Sequence, residues 1–574
     1  MGRISIEREM KFLKFTRRGF FQALGSFTLG AALSKAGALS PSEAEAQTAD
    51  VGPLDRASKK ARTLESNRYV RALRIRFRAF RRAQRKRLPR QKPNRDIRRF
   101  GEAFAYSKVL PKDGFSEPNA AQFSVLQREL RRGKFQQFED NVASGAKGYK
   151  NPLGAHNVDL EGFDATQFTC PPAPDVDSAE TAAEMAELYW MAMCRDIPFI
   201  DYWTDDTVSA AASDLSNNYT DFRGLKEGSL VTPGSLFKGS VPQRLTGPFV
   251  SQLLLLPVTT GRLTFDQKQT TSVAGSDWLT RTDFFNFRQG GNRDGNDHVF
   301  DTTKRYIRNG RDLAMFVWDD RTFSAYLHAF YILYNMGISR DSGNPYTFAR
   351  ASTGFVTGDY PQIMGQLTSV CLPALKAGWW QKWLVHMRIR PEELAGRIHF
   401  HKTGDKDYSF LSSEILDSAV LDRIFDYNGN IDAVAYPGNS ASYLLPQAYP
   451  EGCPNHPAYP SGHAVMAGAC VTLLKAHFDE EEVITNPMIP NADGTDLEPY
   501  TDETLTVGGE LNKLAVNMVE GRNFGGLHYR SDMEQGIRLG ERVATELLRQ
   551  WNTTYTERFR LSFTNFDGER INIG

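Results

Sequence analysis

The chain has 574 residues, of which 41% are hydrophobic, 24% charged and 11% aromatic. This is the composition of a folded globular protein and excludes collagenous, disordered and integral-membrane classes. The formal net charge of +1 conceals a segregation, because residues 56–99 hold nineteen basic and two acidic side chains and the remainder is correspondingly acidic. Five cysteines cannot form a disulfide framework for a chain this long, and their odd number leaves at least one of Cys170, Cys194, Cys371, Cys453 and Cys470 free or paired between chains.

The pattern Thr16-Arg17-Arg18-Gly19-Phe20-Phe21 precedes a modestly apolar stretch to Leu39 and the small-residue step Ala44-Glu45-Ala46. This resembles a twin-arginine export signal over residues 1–46, predicting a bacterial protein released to the periplasm or outside the cell. Lys35 interrupts the apolar stretch, so it reads as a cleaved leader rather than a membrane anchor. No later stretch is apolar for long enough to span a bilayer, so no membrane span is expected after cleavage.

Residues 47–99 form a basic helical segment in which Val70, Leu73, Phe77 and Phe80 recur at helical spacing among arginines. Such a helix can face nucleic acid or an anionic membrane. The matching acidity of residues 100–574 favours instead a helix laid over an acidic face of the same chain or of a partner subunit, and nucleic acid is not an expected partner.

From residue 100 onward long helical patterns alternate with Gly/Pro/Asn/Asp-rich loops. Helices are predicted over Ser178–Arg195, with Asp177 or Ser178 as cap and an apolar stripe of Ala182, Met185, Ala186, Tyr189, Trp190 and Met193, and over about 311–337, 364–390, 461–478, 508–521 and 532–551. Strand patterns are few and short, the segments 214–248 and 338–362 read as long loops, and no fixed-period repeat is present. The fold class is mainly α: one large helical-bundle domain over residues 100–574. His399 and His401 alternate like strand residues and read as structural rather than as a metal site.

Three segments carry chemistry. The first runs from Lys382 to Arg390-Pro391, the second is His456-Pro457-Ala458-Tyr459-Pro460-Ser461-Gly462-His463, and the third runs from Arg522 through His528 to Asp532. Lys382, Arg390 and Arg522 offer positive charge, and arginine adds paired donors matched to an oxyanion. Ser461 and Gly462 open a helix, where free N–H groups and the dipole favour an anion. His463 and His528 supply a proton donor or acceptor and a nitrogen ligand or nucleophile. Asp532, four residues after His528, is placed to orient that imidazole. Taken singly, each segment also reads as a helix cap or a surface ion pair; their chain order is what points to one site.

Together these segments resemble the signature shared by vanadium-dependent haloperoxidases and the type 2 phosphatidic acid phosphatase/acid phosphatase superfamily. Seven residues separate Lys382 from Arg390, as in algal bromoperoxidases, and Arg390 rather than Arg388 precedes a proline. The similarity extends to Ala182–Ala192 with Arg195-Asp196-Ile197-Pro198-Phe199, to Gly247–Gln252, to Ala374–Glu392, to Gln447–Lys475 and to Gly508–Asp532. The resemblance implies vanadate as cofactor, without haem, its oxygens held by Lys382, Arg390, Ser461, Gly462 and Arg522. It further implies His528 as axial vanadium ligand and His463 as acid/base, with Lys382 also polarising the oxidant. His456 stands where the algal enzymes carry a histidine, which favours bromide over chloride. Trp379 either lines the halide side of the pocket or is a core tryptophan.

The implied reaction oxidises bromide or iodide with hydrogen peroxide to a hypohalous acid that halogenates small organic nucleophiles, in a homo-oligomer. An acid phosphatase with His528 as nucleophile is the alternative within the superfamily, and an exported polyanion-binding scaffold is the alternative outside it.

Overall fold

The computed structural model describes residues 59–292, 298–321, 323–430 and 441–574. The leader lies outside them. Helix α1 (Lys59–Arg85) follows from the basic amphipathic pattern. The chain divides into two units, Met1–Arg78 and Ala79–Gly574. In the described part of the first, Leu64, Tyr69, Leu73 and Phe77 are exposed. In the second, the later arginines of the basic segment meet acidic side chains: Arg82 donates to Glu546 at 2.6 Å, Arg95 to Asp175 at 2.6 Å and Arg99 to Asp177 at 2.5 Å.

The bundle of the second unit includes α2 (Ala120–Arg132), α3 (Ala179–Cys194), α4 (Gly310–Phe316), α5 (Ser324–Asn335), α6 (Tyr360–Trp380), α7 (Pro391–Lys402), α8 (Gly462–His477), α9 (Val507–Phe524) and α10 (Arg530–Asn552), with further helices between them. Among the described residues, strands occur as three antiparallel pairs: β1 (Val258–Thr260) with β2 (Leu263–Phe265), β3 (Met488–Pro490) with β4 (Leu497–Pro499), and β5 (Leu561–Thr564) with β6 (Arg570–Ile573). The mainly helical reading therefore holds.

Several local expectations change. The helix expected over 311–337 is two helices, α4 and α5, separated by a turn that carries Asp319 and Asp320. The helix expected over 364–390 starts at Tyr360 and its α-form ends at Trp380, where one π turn over Gln381–His386 takes over and the left-handed Met387 (φ 48°) stops it. The loop expected from residue 214 begins after Asn217, because a helix over Asp206–Asn217 runs through that boundary. His399 and His401 sit on α7, not on a strand. His399 bonds Thr282 Oγ1 at 2.9 Å and His401 Nδ1 accepts from the Tyr408 amide at 3.1 Å, so both serve packing.

Helix α3 has Ser178 as its N-cap, accepting from the Thr181 amide at 3.1 Å. It buries more than the predicted stripe. Glu184 and Glu187 are 5% and 3% exposed, because arginines from distant segments reach them: Arg388 donates to Glu184 at 2.8 Å and Arg530 Nε to Glu187 at 3.0 Å. Burying a carboxylate unpaired costs several kcal/mol, so these pairs tie α3 to the segments that carry the site.

Helices α8 and α10 form the centre of the bundle, and their backbones touch through glycine. A Cβ on Gly540 would collide with the carbonyl oxygen of Val465, one on Gly468 with that of Ile537, and one on Gly536 would stand 2.5 Å from Ala464 Cβ and 3.1 Å from Ser461 O. Across the same contact the Ser461 amide donates to Asp532 O at 2.9 Å. The two chemistry-bearing helix starts are thereby held at fixed separation.

All five cysteines are buried and unbonded, with Cys371 Sγ 3.2 Å from Cys470 Sγ between α6 and α8. Cys470 is fully buried, as a core position requires.

Gly540→Ala should lower stability by about 1–3 kcal/mol, since neither backbone can retreat without moving a whole helix. Differential scanning calorimetry should show the loss, while an alanine at the open position Gly365 should leave the melting temperature within error.

His477, buried against Gln366 (2.8 Å), is held down to about 3 by burial and then by Arg340. The unfolded chain takes up that proton near the ordinary histidine value of about 6.5, the folded chain only near 3. Between those limits the unfolded state binds more protons, so stability falls with falling pH, by up to about 1.4 kcal/mol per unit from this residue. Denaturant titrations of His477→Gln should show a shallower decline across that window than the parent.

Candidate functional site

The three segments singled out in the sequence meet at one buried locus between the ends of α6, α8, α9 and α10. Lys382, Arg390, Ser461 and His528 are each no more than 1% exposed and Arg522 is 6% exposed. The π turn places Lys382 Nζ against the carbonyls of Pro457 (2.7 Å) and Ala458 (2.8 Å), which leaves its third proton without an acceptor among the described residues. Arg390 donates from Nε to His456 O at 2.8 Å, from Nη1 to Leu527 O at 2.8 Å, and from Nη2 to His456 Nδ1 at 3.0 Å. Arg522 donates from Nη1 to Val317 O at 2.8 Å, while its Nε is buried with no hydrogen-bond partner among the described residues.

His528 lies among these cations. Its Nδ1–H donates to Asp532 Oδ2 at 2.9 Å, which leaves the lone pair of Nε2 facing Arg390 Nη1 at 3.0 Å. Asp532 is itself anchored by the Tyr529 amide at 3.1 Å and by Arg388 Nη1 at 2.8 Å. Arg388 also pairs with Glu184 and lies 3.8 Å from the centre of the Tyr529 ring. The two arginines thus differ: Arg388 is neutralised by two carboxylates, whereas Arg390 meets carbonyls and imidazoles.

Ser461 caps α8, and Gly462 is its first residue. A Cβ at Gly462 would press on the Trp379 ring at 3.2 Å, so glycine keeps this approach to the helix amides open. Half-buried Trp379 stands beside His456, ring centres 5.0 Å apart, with Lys382 Nζ 6.0 Å from its centre. It is a wall of the site.

The Nε2–H of His463 donates to Asp320 Oδ1 at 3.0 Å. The sequence reading missed Asp320, which lies in the turn that replaces the middle of the expected helix. It missed Arg388 and Glu184 as supports of Asp532 as well. A buried acid inside an apolar helix is a weak signal for Glu184; none marks Asp320 out from its neighbour Asp319.

The electrostatics follow from burying many cations together. Lys382 is driven well below the usual lysine range by burial and then by Arg390. His528 and His456 fall well below the usual histidine value, chiefly by burial, with Arg390 and Lys382 adding to both. Burial opposes ionisation of Asp320, yet His463 and Arg522 outweigh it and hold its carboxyl below the ordinary range. Such a site favours an anionic guest, since an anion would restore the lost solvation of Lys382 and supply the missing acceptor for Arg522 Nε.

Known proteins share this chain's sequence and architecture. The family model for the VCPO second helical-bundle domain matches residues 430–557. The chain is 34% identical over 488 residues to a vanadium-dependent bromoperoxidase of Ascophyllum nodosum, covering 82% of this chain and 86% of that protein. It is 33% identical over 478 residues to a vanadium-dependent bromoperoxidase of Corallina pilulifera, covering 74% and 80%. Its structure superposes on the homohexameric second vanadate-dependent bromoperoxidase of Ascophyllum nodosum with a TM-score of 0.81 at 26% identity, over 92% of this chain and 95% of that one. Shared sequence over most of both lengths, shared architecture and a cationic pocket around one imidazole lead to the same statement: the chain belongs to the vanadium-dependent bromoperoxidase family.

Proposed function

We propose that the protein is a vanadate-dependent peroxidase that oxidises bromide or iodide with hydrogen peroxide and passes the oxidised halogen to small organic nucleophiles. The observation that carries this reading is the buried His528 Nε2, deprotonated by its tautomer and surrounded by three cationic side chains with no carboxylate of the described residues directly on them.

The residues present fit a tetrahedral oxyanion. Lys382, Arg390, Arg522, Ser461 Oγ and the Gly462 amide would hold the vanadate oxygens, and His528 Nε2 would bond the metal. When bound, vanadate supplies Lewis acidity that polarises a peroxide for attack by a halide. Asp532 keeps the proton on His528 Nδ1, so the ligand nitrogen stays free and the ring cannot rotate. His463, whose Nε2–H is held by Asp320, would take up and return the proton of the peroxide at its other ring nitrogen, Nδ1, with Asp320 fixing the ring. Lys382, with one N–H directed away from its two carbonyls, withdraws charge from the oxygen that the halide attacks. Trp379 and His456 form the face from which the halide approaches, His456 being driven well below the usual histidine range by burial and then by Lys382 and Arg390.

Self-association is part of the proposal, supported by the hexamer of the superposed relative. Among the described residues no helix is long and apolar enough to cross a membrane. Export rests on the twin-arginine pattern of residues 16–46, outside the described part of the chain.

His528→Ala should fold, since it removes a side chain without opening the α8–α10 contact, yet should lose peroxide-dependent bromination of an activated diketone by at least about a thousandfold, together with retention of vanadium through gel filtration. Asp532→Asn should lower vanadate affinity by about 10–100-fold. Wild-type bromination by His528→Ala would remove it as the ligand.

Phosphate has the shape and charge to occupy the same pocket. Excess phosphate should slow reconstitution of the apoprotein with vanadate, and vanadate should relieve it competitively. Steady hydrolysis of phosphate monoesters, without bromination, would instead select the phosphatase reading, with His528 as nucleophile.

A further inference from the structure

Apart from the oxyanion site, and sharing no lining residue with it, lies a cavity of about 290 Å³. Phe199, Tyr202, Trp203, Phe249 and Tyr500 give it aromatic walls. Phe199 and Phe249 stack with ring centres 3.9 Å apart, Tyr202 meets Phe199 edge-on at 5.4 Å, and Trp203 is 65% exposed. The volume suits a single-ring molecule. Lys238 lines the same cavity although it is only 6% exposed. Other buried lysines have acidic partners: Lys108 meets Glu392 at 2.6 Å, Lys513 meets Glu510 at 2.7 Å, and Lys475 meets Glu480 at 3.6 Å. The Lys238 amine makes no hydrogen bond or ion pair with the described residues and stands 6.0 Å from the centre of the Phe249 ring. It is not sealed in either, and the cavity is the open space that its residue lines. The acids that act on it from a distance are spent elsewhere. Glu520 accepts from Arg244, from Asn517 and from the Gly239 amide, each at 2.8 Å, and Glu227 accepts from Thr232 Oγ1 at 2.6 Å. The backbone is pinned, because Arg530 donates to Lys238 O at 2.8 Å and the next amide is held by Glu520. Burial, and then Arg244 and Lys513, bring the amine down to about 7 against the pull of Glu520 and Glu227. A substantial fraction of such an amine is unprotonated at neutral pH and therefore nucleophilic.

We propose that this cavity binds small uncharged aromatic carbonyl compounds and that Lys238 holds them covalently as an imine. The lone pair of Nζ attacks the carbonyl carbon and forms the C–N bond. The carbonyl oxygen leaves with both amine protons as water, and a C=N bond remains. No oxidant or reductant is required, and water reverses the step. The aromatic walls set the preference for a flat ring, which gains stacking and edge contacts that an aliphatic chain does not. A carboxylate on the ligand gains nothing, because the other cation on the lining, Arg308, is engaged by Asp312 at 3.2 Å and by the Asp493 carbonyl at 2.8 Å. Nothing in this chemistry draws on vanadate, halide or peroxide, so the cavity acts alike in the loaded and the empty protein.

The test treats the full-length protein at pH 7 with limiting benzaldehyde and cyanoborohydride, which reduces an imine to a stable benzylamine, and maps the modified lysines by peptide mass spectrometry. A lysine at its ordinary value is neutral to less than about one part in a thousand at this pH. Lys238 should therefore carry the adduct at least about tenfold ahead of the exposed Lys226 and Lys304. Benzyl alcohol, which has the ring but no carbonyl, should slow labelling of Lys238 competitively and leave Lys226 unaffected. Trp203→Ala, at an exposed wall position, should reduce labelling of Lys238 about threefold, the loss of one aromatic contact. Lys238→Met should abolish the favoured adduct and leave the surface ones. The mapping and the competition are read on the parent protein and stand even if that variant does not fold. Labelling that follows exposure, with Lys238 no higher than Lys226, overturns the proposal. Labelling of Lys238 that benzyl alcohol does not slow overturns it too, since the amine would then react without the cavity binding the ring.

Discussion

The site depends on an electrostatic imbalance that the fold creates and holds. Lys382, Arg390 and Arg522 are buried around His528 without a carboxylate of the described residues in direct contact, an arrangement that costs several kcal/mol per charge in an isolated protein. The nearby acids stand one step back. Asp532 touches His528 and Arg388, Glu184 touches Arg388, Asp320 touches His463, and Glu392 touches Lys108. Carbonyl oxygens of Pro457, Ala458, His456, Leu527 and Val317 stabilise the central cations in their place. Carbonyls carry no net charge, so they orient the donors without quenching their positive field.

Holding three distant segments around one point needs rigid supports, and the glycine-mediated contact of α8 with α10 provides one. Ser461 starts one helix and His528 lies just ahead of the other, so the spacing of the two helix axes becomes the spacing between the anion-binding amides and the imidazole. Arg388 couples this pair to α3 by meeting Asp532 and Glu184 at once. A disturbance in α3 therefore reaches the tautomer of His528 through two ion pairs, although no α3 side chain touches the imidazole.

Most of the helices were legible in the sequence because long apolar periodicity survives burial on all sides. What was not legible came from tertiary context. The 311–337 pattern is continuous in hydrophobicity, and only packing shows the turn that brings Asp320 to His463. The Lys382–Arg390 stretch looks like ordinary helix, yet a π turn is what rotates Lys382 onto the Pro457 and Ala458 carbonyls. His399 and His401 misled because alternate spacing over three residues does not distinguish a strand from a helix buried on both faces. The segments that meet at the site were legible for a different reason: the three cations, the serine–glycine helix start and the two histidines fall in three stretches whose chain order, rather than any one of them alone, points to a single locus. Their supports, Asp320, Arg388 and Glu184, have no motif of their own and are chosen by geometry alone.

The same field explains why two imidazoles this close to three cations can remain chemically useful. Burial, and then the positive neighbours, lower both His528 and His456 well below the usual histidine range, so protonation of either ring is opposed. His463 is treated differently. It lies at the edge of the cluster, 20% exposed in its side chain and paired with a carboxylate that the surrounding charges keep ionised. In the proposed reading, the division of labour between ligand and proton carrier would be set by which histidine the fold places beside an acid at the partly exposed edge, and which it buries among the cations with its acid fixed to the far nitrogen.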